Sequence, residues 1–306
     1  MSASRPARPA EQAATLPDKT PRLRVTAAPG FEEAAAAWAA RLDARLGPGP
    51  ATVHVHLGPR GLGVRPGHGT RAHAEPWIVD LARTRPGGEP VVRAVRGKRG
   101  ARGLRVVDAT AGFGVDAAAL AHAGMHVTMI ERDPLLAALL EDGLARLAGA
   151  PAGQAPAAQA SRAEVAPADF AELAGGVDLV YGDARDVVGS LVPRPEVVYL
   201  DPMYPRAGAA AKRKGAAWLR AWTGERPPWA DAADLELFVA ARRAATTRVV
   251  VKRPAKAAPI APGRSGSVRG TTTRFDLYAG SGPGTVEDGT RGDVTGERDD
   301  DRRDEA

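Results

Sequence analysis

The most informative absence is that of cysteine, which occurs nowhere in the 306 residues. Without thiols the chain has no disulfide, no cysteine-bound zinc or iron–sulfur cluster and no thiolate nucleophile. Aromatic residues are sparse at 5%, and no apolar run approaches the roughly 20 residues of a membrane-spanning helix. The N-terminus also lacks the apolar stretch of a signal peptide, so the sequence predicts a cytoplasmic protein with no membrane partner.

Charge is unevenly distributed along the chain. The net charge is +6, but residues 281–306 hold nine acidic residues against four arginines, which leaves +11 on the remainder. A basic body of this kind is compatible with a polyanionic partner such as a nucleic acid. Residues 1–20 and 281–306 are rich in Pro, Gly, Ser and charged residues without apolar periodicity, so we expect two disordered tails.

Two regions with different periodicity lie between the tails. In residues 21–100, short strand patterns alternate with one helical pattern at residues 31–46, which predicts a small α+β segment. From residue 101 to residue 280, apolar runs alternate with helical stretches, a pattern typical of a parallel sheet covered by helices. The predicted fold class is therefore α/β, with a flexible Ala-, Pro- and Gly-rich insertion at residues 148–168.

The stretch YLDPMYPR (199–206) ends an apolar run with an acid and two prolines. Because proline fixes φ and cannot donate to a sheet, this turn presents Asp201 and Tyr204 in a set orientation. Asp201 and the carbonyl of Pro202 can accept hydrogen bonds from an exocyclic amine, and Tyr204 offers a face on which a base can stack. An ordinary strand-ending turn is the alternative that these residues by themselves leave open.

A glycine-rich loop follows the first strand of the larger region. In VVDATAGFGVD (106–116), Gly112 and Gly114 stand between a strand and a helix, where a missing Cβ lets a ligand approach the backbone. Glu131 ends the next strand, at the position where an acid accepts hydrogen bonds from ribose hydroxyls. The glycine loop and the acid at the end of the next strand suit a dinucleotide as well as S-adenosylmethionine.

The charge around the loop distinguishes between these two candidate ligands. Asp108 and Asp116 flank the glycines; they would repel a pyrophosphate, but their sign suits the ammonium and hydroxyls of S-adenosylmethionine. The third strand ends in YGDA, where Asp183 is a candidate acceptor for the adenine amino group. The loop therefore favours S-adenosylmethionine.

Basic residues and histidines are candidates for nucleic-acid or metal contacts. A basic run just after the YLDPMYPR turn and the end of a later predicted strand supply candidate RNA-phosphate ligands: Lys212, Arg213, Lys214, Lys252 and Arg253. His54 and His56 share one face of a predicted strand, but no acidic or cysteine partner stands at metal-ligand spacing. No metal site is expected.

Five blocks of sequence, taken together, point to a known family. They are DATAGFGVDA, MIERDPLLAALLEDGLARL, PRPEVVYLDPMYP, RVVVKRP and RFDLYAG, in this order from Asp108 to Gly280. They resemble the bacterial small-subunit (16S) ribosomal RNA guanine-N2 methyltransferase J family. The resemblance implies a Rossmann-like class I methyltransferase, with a mostly parallel seven-stranded sheet and helices on both faces.

The same resemblance implies a reaction and a set of contacts. The reaction is methyl transfer from S-adenosylmethionine to the exocyclic N2 of a guanine near the 3′ end of small-subunit ribosomal RNA, free or within the small subunit. The implied cofactor contacts are Val115, Asp116, Glu131, Arg132, Asp183, Ala184 and Asp201. The chain departs from the family pattern where Val115 replaces a common arginine and where Asp183 and Ala184 replace a serine pair. Contacts through the main chain survive such changes.

The residues themselves leave other functions open. An Asp-Pro-x-aromatic turn also suits an amino-group methyltransferase acting on DNA or on another RNA. A catalytically silent RNA-binding assembly factor could keep the same fold, because a fold does not fix a function. However, a pure binding protein needs neither a methyl-donor loop nor a carboxylate that orients an amine, so the sequence favours the enzyme.

Overall fold

The structure of the chain, a computed structural model, describes residues 22–67, 75–82, 89–98, 100–152, 176–202, 222 and 232–282. Nearly all of the two predicted tails and most of the predicted insertion lie outside these ranges. So do Tyr204 and the basic run Lys212, Arg213 and Lys214. What the sequence predicts for those residues stays a prediction.

The N-terminal part of the chain forms a five-stranded sheet with one helix. Its elements are β1 (Leu23–Ala27), α1 (Glu32–Arg41), β2 (Arg45–Leu46), β3 (Val53–Gly58), β4 (Gly61–Pro66) and β5 (Trp77–Ile78). The strand order is β2-β1-β3-β4-β5, with β1 parallel to both of its neighbours. Apolar and polar residues alternate along β1 and β3, so Val25, Val53 and Val55 face the core and the polar residues face away from it.

This sheet differs from the sequence prediction in two places. The helix predicted over 31–46 ends at Arg41, and Asp43, with a φ of 48°, turns the chain into β2. Strand β4 carries little strand signal, because its sequence GLGVRP is rich in glycine. Gly63 is nevertheless needed there, since a Cβ would come within 2.8 Å of the side chains of Pro76 and Ile78.

The C-terminal part forms the seven-stranded sheet that the sequence predicts. Its strands are β6 (Arg105–Asp108), β7 (His126–Glu131), β8 (Val177–Tyr181), β9 (Val197–Leu200), β10 (Arg248–Pro254), β11 (Gly266–Arg269) and β12 (Thr273–Ala279). Their order is β11-β12-β10-β9-β6-β7-β8. Strands β6 to β10 pair in parallel, and β12 is antiparallel to β10 and β11. The Rossmann-like, mostly parallel α/β fold is therefore confirmed.

Helices cover both faces of this sheet, as predicted. They are α2 (Pro90–Arg96), α3 (Val115–His122), α4 (Pro134–Leu147), α5 (Ala184–Val187) and α6 (Ala232–Ala244). Because side chains alternate along a strand, Val106 and Tyr199 join the core beneath α2, α3 and α4, whereas Val107 and Val198 join the core beneath α6. None of the described helices combines the length and apolar character needed to span a bilayer.

Helix α4 connects the two sheets. It begins after Asp133, which caps its first turn by accepting from two main-chain N–H groups, and Pro134 occupies its first position. Further along, Asp142 accepts hydrogen bonds from Leu62 N of β4 at 3.0 Å and from Arg146 Nε at 2.8 Å. The apolar core beneath α4 includes residues of both sheets. The domain boundary predicted near residue 100 stays a prediction.

Candidate active site

A cleft of about 490 Å³ opens at the carboxyl ends of the parallel strands, where ligands bind in sheets of this kind. The loops that follow β6, β7, β8 and β9 form its walls. The predicted site residues that line it are Gly112, Glu131, Arg132, Asp183, Ala184, Asp201 and Pro202. Folding therefore brings both predicted halves of the site, for the cofactor and for the amine, to one cavity.

The two glycines of the loop after β6 serve different purposes. Gly112 has a φ of 56° and lines the cleft, and a Cβ placed there would meet only the Thr110 carbonyl oxygen, at 3.8 Å. Gly114 has a φ of 69° and faces the core, where a Cβ would come within 2.8 Å of Leu140 and 3.0 Å of Leu81. Gly112 thus keeps the cleft open, whereas Gly114 allows close packing against α4.

Glu131 is buried at the end of β7, and the main chain fixes its carboxylate. Oε2 accepts a hydrogen bond from Gly112 N and Oε1 accepts one from Asp133 N, each at 2.8 Å. Burial raises the pKa of Glu131, while these main-chain donors act in the opposite direction. Each carboxylate oxygen has a further acceptor direction, so the arrangement is compatible with the predicted ribose contact.

Asp183 precedes α5 and forms a cluster with two arginines. Its Oδ1 accepts from Arg185 N at 2.9 Å and from Arg185 Nε at 3.0 Å. Its Oδ2 accepts from Arg185 Nη2 at 2.9 Å and from Arg132 Nη1 at 3.4 Å. Chiefly because of the side-chain hydrogen bond from Arg185, the pKa of Asp183 falls to about 2. If Asp183 accepts from the adenine amino group, as the sequence predicts, that amino group shares the ionised carboxylate with both arginines.

Asp201 ends β9 and lines the cleft beside Pro202. Its main-chain N donates to Thr110 Oγ1 at 2.7 Å. Thr110 is held in turn, because its main-chain N donates to Asp108 Oδ1 at 3.1 Å. The Asp201 side chain is 28% exposed. These contacts fix the turn after β9 relative to the glycine loop after β6.

Lys252 of β10 joins two carboxylates through its ammonium group. Its Nζ lies 2.6 Å from Asp116 Oδ2 and 2.8 Å from Asp201 Oδ2. The Tyr199 hydroxyl donates to the same Asp116 oxygen at 2.6 Å. Burial lowers the pKa of Lys252, but the charges of Asp201 and Asp116 outweigh burial and hold this pKa above its ordinary value. Lys252 is therefore a fixed cation between α3 and the turn after β9.

Comparison with known proteins identifies the family. A family model described as "Putative SAM-dependent methyltransferase" matches residues 80–280. A ribosomal RNA small subunit methyltransferase J from Alkalilimnicola ehrlichii is 39% identical over 279 residues, which cover 85% of this chain and 96% of its own. The chain belongs to the ribosomal RNA small subunit methyltransferase J family.

Further relatives agree with this assignment. A methyltransferase J from Thioalkalivibrio sulfidiphilus is 42% identical over 62% of this chain and 67% of its own. One from Pseudomonas aeruginosa is 36% identical over 84% of this chain and 95% of its own. The crystal structure of a SAM-dependent methyltransferase from Neisseria gonorrhoeae matches with a TM-score of 0.57 and 25% identity, over 86% of this chain and 98% of that chain.

The enzyme class and the cofactor predicted from the sequence are thereby confirmed. The methyltransferase depends on S-adenosylmethionine, and its cleft suits that molecule chemically. Gly112 leaves one wall open, Glu131 stands where hydroxyl groups can donate to it, and Asp183 lies at the end of the neighbouring strand. Which of these residues contact the cofactor stays a prediction.

Three predicted cofactor contacts of the methyltransferase, Asp108, Val115 and Asp116, occupy unexpected positions. Asp108 is only 2% exposed, behind the loop, where burial and then the charge of Asp116 raise its pKa to about 8. Burial thus favours its protonated form, and Asp108 does not line the cleft. Asp116 pairs with Lys252, and Val115 beside it is 58% exposed. Neither Val115 nor Asp116 lines the cleft.

The predicted phosphate ligands Lys252 and Arg253 are also engaged within the methyltransferase. Lys252 binds two carboxylates, as described above. Arg253 is 7% exposed and donates to the Ala258 carbonyl oxygen from Nε at 3.0 Å and from Nη2 at 2.6 Å. Adjacent residues of a strand point to opposite faces, so Lys252 points towards Asp116 of α3 and Arg253 into a neighbouring loop. A phosphate role does not fit either side chain.

Residues that the sequence did not single out complete the cleft of the methyltransferase. Asp133 caps α4 and accepts from Trp222 Nε1 at 2.8 Å. The guanidinium of Arg22 lies 4.4 Å from the centre of the Trp222 ring, and both residues line the cleft. The pair Asp133-Pro134 is a recognisable helix start and could have been found. Arg22 and Trp222 are 200 residues apart, and no local pattern connects them.

Proposed function

We propose that this methyltransferase modifies the exocyclic N2 of a guanine near the 3′ end of small-subunit ribosomal RNA. The relatives' name, ribosomal RNA small subunit methyltransferase J, supports the substrate class. The observation that carries the chemistry is the carboxylate of Asp201, which lines the cleft beside Pro202 while Lys252 holds it at 2.8 Å. An amine-directed methyltransferase needs such an acceptor next to its cofactor.

The target amine explains why an acceptor is needed. The lone pair of an exocyclic amine is delocalised into the base, so the amine is a poor nucleophile until it is oriented. Asp201 accepts one hydrogen bond from the amine, and the carbonyl of Pro202, fixed by the proline ring, accepts another. Tyr204, which lies outside the described residues, provides a stacking face for the base, worth roughly 1–3 kcal/mol.

The cofactor lies on the other side of the cleft in this proposal. S-adenosylmethionine supplies an already activated methyl group. Glu131 would accept hydrogen bonds from its ribose hydroxyls, and Asp183 and Ala184 would bind its adenine. Gly112 allows its close approach to the backbone. Since the donor is activated, alignment of the two reactants accounts for much of the rate.

The proton released by the amine passes to Asp201 or to water. Lys252 does not take it, because the two neighbouring carboxylates hold the pKa of Lys252 above its ordinary value. Its ammonium instead stabilises the ionised form of Asp201 and orients that carboxylate. Both roles require a cation on β10 at this position, so Lys252 acts through Asp201 as a positioning residue.

The test is transfer of labelled methyl from S-adenosylmethionine to RNA from a strain that lacks the gene. Naked small-subunit RNA and intact small subunits are assayed in parallel, and the labelled nucleoside is identified after digestion. Label in N2-methylguanosine is the expected result, and the better substrate shows whether the enzyme acts on free RNA or on the subunit. Label in an adenine or cytosine product, or no label with enzyme that binds cofactor, would contradict the proposal. The substrate also implies action in the bacterial cytoplasm.

A further inference from the structure

A row of basic side chains crosses the N-terminal sheet. In the strand register, Arg45 of β2 is opposite Arg24 of β1, Arg24 is opposite His54 of β3, and His54 is opposite Arg65 of β4. Four adjacent strands therefore each contribute one basic residue at the same level. With strands about 4.8 Å apart, the row extends over roughly 14 Å.

The row lies on the outer face of the sheet. Its neighbours along the strands, Val25, Val55 and Val64, point the other way and are buried in the core. Helices α1 and α4 pack against the sheet, and their buried residues belong to that same core. On the outer face, next to the row, a hollow of about 400 Å³ is bordered by His56, Arg60 and Arg65. The outer face is thus both basic and concave.

Arg24 and Arg45 are like charges directly opposite each other, which destabilises a sheet, so this pair has a cost that a counter-charge would relieve. The row contains no acidic residue. Burial, and then the charges of Arg65 and Arg24, lower the pKa of His54. In addition, Arg65 Nε is buried and has no hydrogen-bond partner among the residues that the structure describes. Glu75, at the rim of the hollow, is paired with Arg60.

The row is close to the cofactor cleft along the chain. Arg22 lines the cleft, donates to the Trp222 carbonyl oxygen at 3.2 Å, and precedes Arg24 by two residues. Two residues of extended chain span about 7 Å. A nucleic-acid strand that places one nucleotide in the cleft can therefore continue onto the outer face of the N-terminal sheet.

We propose that this basic row binds the phosphodiester backbone of the substrate RNA beside the target guanine. The inference rests on the proposed function and gives the N-terminal sheet a role in it. Three arginines aligned across four strands match a chain of phosphates better than they match the scattered acids of a protein surface. The contact is electrostatic, so it contributes affinity and position but no sequence preference.

The test neutralises the two ends of the row in the full-length protein, as the double variant Arg45→Gln/Arg65→Gln. Arg24 is left in place because its Nε donates to the Pro50 carbonyl oxygen at 3.1 Å and supports a turn. Affinity for a naked 3′ fragment of small-subunit ribosomal RNA is measured as a function of salt. We expect binding at least about fivefold weaker, with the salt slope reduced by roughly 1–1.5, since two phosphate contacts are lost.

The matched control is Arg102→Gln/Arg243→Gln. Both of its arginines are exposed and lie before β6 and β10, at the edge of the sheet opposite the cleft, and the double variant removes the same charge. Thermal unfolding and cofactor affinity confirm that both variants are folded.

RNA affinity and salt slope equal to those of the control would overturn the proposal. So would weaker binding to intact subunits with unchanged binding to naked RNA, which would indicate a protein contact. Because RNA binding is measured without catalysis, a failure of the proposed methyl transfer remains distinguishable.

Discussion

Glu131 and Asp201, one acidic residue from each half of the cleft, are held by different means. On the side of β7, Glu131 accepts hydrogen bonds from main-chain N–H groups of two loops. On the side of β9 and β10, Asp201 shares the single ammonium of Lys252 with Asp116. The Glu131 carboxylate is thus fixed by the backbone, whereas the Asp201 carboxylate is bound by the ammonium of a side chain on another strand.

This difference assigns separate tasks to the two halves. Main-chain donors do not change with side-chain rotamers, which suits a site that must bind the cofactor in every catalytic cycle. A carboxylate held by an ammonium stays ionised and oriented, which suits a group that must accept from the amine. We therefore expect substitutions in one half to change cofactor affinity and substitutions in the other to change turnover.

The largest effect is expected for Asp201→Ala, which removes the acceptor itself. Orientation of the amine and proton acceptance are both lost, and such contributions are worth about 10²–10⁴-fold in rate. Cofactor affinity should stay within about threefold of wild type, because Thr110 contacts the main chain of residue 201 rather than its side chain. Single-turnover transfer and calorimetric titration of the cofactor measure the two quantities. Near-normal transfer would remove Asp201 from its role.

Lys252→Met should lower turnover by about 10- to 100-fold at saturating cofactor and RNA, since Asp116 and Asp201 then lose the ammonium that they share. The free energy of unfolding should fall by about 1–3 kcal/mol, less than for a fully buried pair because water reaches both carboxylates. Lys252→Arg is the matched control, because it keeps the charge and should recover part of the turnover. If Lys252→Met lost RNA affinity with normal turnover, Lys252 would be a phosphate ligand instead.

Glu131→Ala should act on the other half of the cleft. It removes a charged acceptor from Gly112 N and Asp133 N and an acceptor for the cofactor, so the Kd for S-adenosylmethionine should rise by about 10- to 100-fold. Turnover at saturating cofactor should stay within about threefold of wild type. Glu131→Gln keeps one acceptor oxygen and should lie between the two. A fall in turnover with unchanged cofactor affinity would reverse the assignment of the two halves.

The smallest effect on activity is expected for Asp108→Asn, which changes pH dependence instead. The folded protein keeps the Asp108 proton up to a pKa of about 8, while an unfolded aspartate releases it above its ordinary value of 3.8. Rising pH between these values therefore favours unfolding of the wild type, by up to about 1.4 kcal/mol per pH unit. The variant lacks this slope, so its stability relative to wild type should increase from pH 5.5 to pH 7.5 in urea unfolding. A constant difference would mean that Asp108 is ionised in the folded protein.

The sequence predicted the parts of this site that depend on local chemistry. A strand followed by glycines, an acid at the next strand end and an Asp-Pro turn each carry their signal within a few residues, and folding brings them to one cleft. The fold class was predictable for the same reason, because alternation of apolar runs and helices is a local pattern.

The remaining features depend on partners that are distant in the chain. Lys252 looked like a phosphate ligand because nothing near it in the sequence shows its partner. That partner, Asp116, is 136 residues away, and only the order of the strands brings the two together. Asp108 looked like a charged cofactor contact, but it is buried outside the cleft lining, and burial raises its pKa. The basic row required the strand register, since Arg45, Arg24, His54 and Arg65 form no motif in the sequence.

The most direct measurement is the position of the methyl group in RNA from a strain that lacks the gene, complemented with either wild type or Asp201→Ala. Small-subunit RNA is digested, and the 3′ fragment is analysed by mass spectrometry. We expect N2-methylguanosine with the wild type and an unmodified guanine with a variant that binds the cofactor normally. Methylation of the same guanine by Asp201→Ala, or a wild-type product other than N2-methylguanosine, would contradict both the proposed reaction and the role of the amine half.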